Sequence, residues 1–139
     1  HQHPQHMSTT TEKKSRVHLG DLHFDHMEWL NILRFRKDEI AIFERRLEDV
    51  VKRNTGTEIM AELEHFQNQY IREREVIDEL RHDIKSHENR LEKEAIEHPV
   101  AIDHRYFQDH SELRERMTTF ERLYAELKEE LHRWLVKRM

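Results

Sequence analysis

In three long blocks of this chain, large side chains return at alternating gaps of four and three residues. The first block carries Leu22, His26, Trp29, Leu33, Arg36, Ile40, Phe43, Leu47 and Val50. The second carries Ile59, Leu63, Phe66, Tyr70, Glu73, Ile77, Leu80, Ile84, His87 and Leu91. The third carries His110, Leu113, Met117, Phe120, Tyr124, Leu127, Leu131 and Trp134. A mean period near 3.5 places all members of a block along one seam of an α-helix, and a strand has no equivalent of it.

Chain reversals are restricted just as firmly, because the 139 residues include only two glycines and two prolines. Turn formers gather inside the chain at Asn54-Thr55-Gly56-Thr57 and again near Pro99. Three helices follow, at approximately 21–54, 57–98 and 103–138. Asp21 is expected to cap the first helix after Gly20. Gly56 is expected in a left-handed C-terminal position, with Thr57 capping the second helix. Asp103 is expected to cap the third, with Ile102 and Phe107 spaced as a hydrophobic staple. Residues 8–20 are polar and aperiodic, so 1–20 reads as a flexible tail. Its opening His-Gln-His-Pro-Gln-His, before Met7, suits an expression remnant and a native tail equally well.

Residues 21–139 are therefore expected to form one all-α domain, an antiparallel up-down-up three-helix bundle with coiled-coil-like seams. The competing arrangement runs helices one and two together as a single rod that pairs across a dimer. Helix one also carries apolar residues away from its seam. Phe35 and Ile42 lie roughly 120–140° from Trp29 at ~100° per residue, which makes the apolar face wider than two neighbours need. They are the candidate self-association residues, pointing to a homodimer that builds a larger bundle, against the alternative of scattered surface hydrophobes.

The chain is 38% charged, with 24 basic and 29 acidic residues and a formal charge of -5. The signs are interspersed with no basic stripe, so nucleic acid and anionic membrane are not expected partners. There is no cysteine, which removes disulfide and thiolate chemistry. No apolar run nears the ~18 residues of a membrane span, and no signal segment is evident; a cytoplasmic protein is expected. Two isolated glycines cannot make a phosphate loop, and no Ser–His–acid elbow occurs. No catalytic residue is assigned, and a non-enzymatic role in self-assembly or protein–protein interaction is the leading expectation.

Polar residues interrupt the seams, and buried polar groups need partners. Arg36 and Glu73 lie about one turn apart when the first two helices fold back, so an interhelical ion pair is expected between them. The same fold-back sets His26 level with His87, and His110 reaches that height from helix three. Eight of the 13 histidines fall at this end: His18, His23, His26, His82, His87, His98, His104 and His110. His26, His87 and His110, with His23, are the candidate ligands for Zn, Fe or another transition metal, with nearby carboxylates such as Asp25 and Glu88 in support. Metal binding or sensing is the alternative function. Without a metal, the same residues would be hydrogen-bonded histidines at a frayed bundle end, or a pH-sensitive cluster. A di-iron centre is not expected. The Glu-x-x-His strings at Glu62, Glu79 and Glu129 do not supply the inward-facing sets from four helices that it requires.

Overall fold

The structure is a computed structural model that describes the backbone of residues 4–54, 56–97 and 104–138, with side chains from residue 19 onward. All of its regular structure over those residues is helical. The helices are α1 (Pro4–Arg53), α2 (Thr57–Glu97) and α3 (His104–Arg138), packed together as a bundle. At a rise of 1.5 Å per residue they are roughly 75, 60 and 50 Å long. None of them is long and apolar enough to cross a membrane.

Almost every seam position expected from the period is buried. Leu33, Ile40, Leu47, Tyr70, Ile77, Ile84, Tyr124 and Leu131 are wholly enclosed. Burying each such side chain stabilises the fold by about 1.5–3 kcal/mol. The two exceptions are Ile59 near the first turn of α2 and Arg36, both only partly buried. Side chains of α1 and α2 meet along the pair: His23 lies against Glu88, Lys37 against Asp78, Phe43 against Tyr70 and Glu44 against Arg74.

Two expectations about the helix ends are corrected. α1 does not begin at Asp21 but continues through Gly20 and the Thr-rich stretch to Pro4. A lone glycine costs a helix about 1 kcal/mol relative to alanine, too little to stop one that both neighbouring segments continue. Asp21 is thus an interior helical residue. At the first reversal no described glycine has positive φ, so Gly56 is not a left-handed terminator. Its carbonyl instead accepts the first bond of α2, from Met60 N–H at 3.1 Å, which makes Gly56 the N-cap and Thr57 the first helical residue. Asn54 closes α1, with its backbone N–H and its side-chain amide both donating to the Val50 carbonyl at 3.1 Å. The expected cap at Asp103 and the Ile102 half of the staple lie outside the described residues. Phe107 does pack on the small cluster of Leu22, Leu91 and Tyr106.

The Arg36–Glu73 ion pair does not form. Arg36 turns toward α3, where it binds Glu121 at 3.1 Å, and it also reaches Glu39 at 3.2 Å. Its guanidinium lies over the Tyr124 ring, 4.8 Å from the centroid. Glu39 is the hub of this group, accepting from Tyr124 Oη and Lys128 Nζ at 2.7 Å each. Burial would raise its carboxyl, but those two bonds hold it below the usual range. α3 therefore offers Arg36 an anion at direct hydrogen-bond distance. Glu73 is left on α2, buried, with no ion pair among the described residues.

Candidate metal centre

Each helix contributes one imidazole to a single buried layer. His26, His87 and His110 are 0%, 4% and 2% exposed. Each occupies a seam position, three or four residues from apolar seam neighbours, so the period that buries leucine elsewhere buries histidine here. The layer is not at a frayed end. Leu22, Leu91 and Tyr106 close it on one side, and Trp29, Ile84 and Leu113 of the main core close it on the other.

The rings converge through particular nitrogens. His26 Nε2 lies 3.1 Å from His110 Nδ1, and His110 Nδ1 lies 3.3 Å from His87 Nε2. One nitrogen from each residue can be chosen so that all three fall within 4.8 Å of one another. The outward nitrogens of two rings are held by carboxylates. His26 Nδ1 meets Glu88 Oε1 at 2.7 Å, and His110 Nε2 meets Asp25 Oδ2 at 2.9 Å. Aromatic rings fix the planes. Tyr106 stacks on His87 at 3.8 Å and 9°, while its hydroxyl donates to the His87 carbonyl at 3.0 Å. Trp29 stacks on His110 at 4.9 Å.

Counting protons shows what this arrangement can do. A carboxylate only accepts, so the N–H of neutral His26 sits on Nδ1 and that of neutral His110 on Nε2. Their inward nitrogens then both carry lone pairs and face each other at 3.1 Å with no proton between them. His87 can offer one N–H to the inward set, which satisfies one lone pair and leaves another opposed. Burial pushes His87 down to about 3, reinforced by the charges of His26 and His110. Burial also lowers His110, against the hydrogen bond it donates to Asp25. The inward side of the layer therefore gathers more lone pairs than protons. Such a set can accept a metal cation. Nitrogens bound to one tetrahedral zinc at about 2.0–2.1 Å lie roughly 3.3–3.4 Å apart, close to the 3.1 and 3.3 Å found here. Carboxylates on the far ring nitrogens are the usual outer partners of ligating histidines.

The carboxylates are themselves anchored. Burial tends to raise the Asp25 carboxyl, but bonds from His110 and from Arg114 at 3.0 Å hold it below the usual range. Glu88 is shared, its second oxygen meeting His23 Nδ1 at 2.7 Å. His23 is thus brought to the outer carboxylate and not to the imidazole layer, and its side chain is 56% exposed. His82 and His104 are exposed, and the side chains of His18 and His98 lie outside the described residues. The histidines of the three Glu-x-x-His strings, His65, His82 and His132, are all exposed. Tyr106 was missed by the sequence reading, although it extends the α3 seam by one step of four before His110. Comparison with protein-family models, curated proteins and solved structures finds no match for the chain.

Proposed function

We propose that this protein is a transition-metal-binding helical bundle in which His26 Nε2, His87 Nε2 and His110 Nδ1 hold one ion, zinc first among the candidates. The observation that carries the reading is the 3.1 Å contact between two inward nitrogens of rings whose outward nitrogens each meet a carboxylate. Enclosure between two apolar clusters favours a structural or sensing role over a catalytic one, which would need an open path for substrate. Metal analysis of protein freed of residues 1–7, which could bind metal themselves, tests the proposal. One equivalent of zinc, nickel or iron is expected, with a rise in melting temperature that His110→Phe removes. No stoichiometric metal and no melting shift with any of the three would reject it.

A second reading concerns assembly. The opposed numbering of α1 and α2 partners supports an antiparallel up-down-up hairpin arrangement with coiled-coil seams. On the outer side of α1, Phe24, Phe35 and Ile42 are 67%, 60% and 49% exposed. At ~100° per residue the three align within about 20°, a stripe suited to a homodimer that forms a larger helical bundle. Light scattering over a wide concentration range should show a dimer that the double variant Phe35→Asp/Ile42→Asp converts to monomer. A monomer at every concentration would discard this reading.

A further inference from the structure

A trough runs between α2 and α3, lined by none of the three layer histidines and by no residue of α1. One stretch has a volume of about 720 Å³. It continues into a second of about 290 Å³ through the shared residues Gln69, Glu73 and Leu123. From His65 to Leu80 the trough follows roughly 22 Å of α2, about four helical turns. Its lining includes Val76, Leu80, Phe120 and the half-exposed Leu123. The rim is acidic, with Glu79, Glu112, Glu115, Glu126 and Glu130. Its two arginines are already engaged, Arg72 with Glu75 at 3.6 Å and Arg116 with Asp83 at 2.8 Å.

Glu73 faces both stretches of this trough and is only 9% exposed. It has no hydrogen bond or ion pair among the described residues, and the hydroxyl of Tyr70, one turn away, also lacks a partner. Burial raises the Glu73 carboxyl, with only the charge of Arg72 opposing it. A carboxylate that opens only onto this trough is partly stripped of water, so a cation placed beside it would find an unanswered charge at short range.

We infer that the α2–α3 trough is the docking site for a basic amphipathic helix of another protein, which presents an arginine or lysine to Glu73 from within its apolar face. A trough four turns long, apolar within and charged along its rim, has the dimensions of a helix-in-groove site. A second copy of this chain is a poor occupant. Its exposed apolar stripe on α1 also carries the exposed Glu28, Asp38 and Asp49 against Arg46 and Arg53, which is not the basic face that an acidic rim calls for. The inference depends on neither the metal nor the α1 stripe.

The test uses the full chain and a fluorescent 18-residue helical peptide of Leu, Ala and Lys, with one Arg at the centre of its leucine stripe. Anisotropy should report saturable binding, weakened about 30-fold or more by Glu73→Gln. A peptide with Gln for the Arg should lose a similar factor, and combining the two changes should cost little more, as for one shared contact. Glu73→Leu is the folding control, because leucine at this 9%-exposed seam position should raise the melting temperature while weakening the peptide equally. No saturable binding, equal affinity for Glu73→Gln, or equal binding of a peptide with Glu for every Lys would each overturn the inference. So would a protein dimer that disappears with Leu123→Asp, since a second copy would then be the occupant.

Discussion

His26 and Leu33 occupy equivalent places on the same seam, yet they do different work because of what stands behind the ring. A buried imidazole has a donor and an acceptor to satisfy, and Glu88 takes the His26 proton outward. Replacing that carboxylate while keeping its shape isolates its contribution. Glu88→Gln and Asp25→Asn should each leave the helical content unchanged and weaken zinc by about 10- to 100-fold, read by competition with a chromophoric chelator. Unchanged affinity in both variants would remove the carboxylates from the site. Glu73 shows the opposite case, a buried acid without an answering cation. Its folded-state pKa is raised by burial, so between the ordinary glutamate value and the raised one the native state holds more protons than the unfolded state. The contribution of Glu73 to stability therefore falls as pH rises through that window and stays reduced above it. Glu73→Gln should flatten this part of the profile and be more stable than the parent near pH 7, measured by urea unfolding from about pH 4 to 8. An unchanged profile would mean that another cation neutralises Glu73.

At the level of the helix, the instructive position is Gly20. Sequence reasoning treats Gly followed by Asp as the start of a helix, because both residues favour helix boundaries more than interiors. In the structure α1 passes straight through, and a Cβ at Gly20 would meet nothing within 4 Å. Gly20→Ala should therefore stabilise the protein, by up to about 1 kcal/mol in chemical denaturation. Destabilisation would mean that the helix breaks near residue 20 after all. Local preferences also misjudged the first reversal. The carbonyl of Gly56 opens α2, and the side chain of Asn54 closes α1. Propensity marked the right four residues for the reversal but could not assign their roles, since several arrangements of a short link satisfy the same free backbone groups.

For the molecule as a whole, an ion held by one ligand from each helix binds the assembled bundle and not the unfolded chain. Zinc at a hundred times its dissociation constant should then add about 2.7 kcal/mol to unfolding. Copper(II) or nickel(II) should quench Trp29, which stacks on His110, more than Trp134, which packs against Phe66 in the main core. Equal quenching of both, resolved with Trp134→Phe, would place the ion elsewhere. The seams, the number of helices and the meeting of His26, His87 and His110 were legible in the sequence. Periodicity and two reversals determine which residues point inward and at what height. The partner of Arg36 was not legible. Glu73 and Glu121 both lie within reach of a long side chain, and only the lateral placement of α3 beside α1 selects Glu121. The proton arrangement of the imidazole layer was equally hidden, because it depends on which ring nitrogen meets Glu88 or Asp25. The sequence by itself determined the faces and the heights, since these follow from the pitch of a helix. Tertiary structure decided the partners and the ring orientations, because those are set by ångström-scale distances between helices that no period encodes.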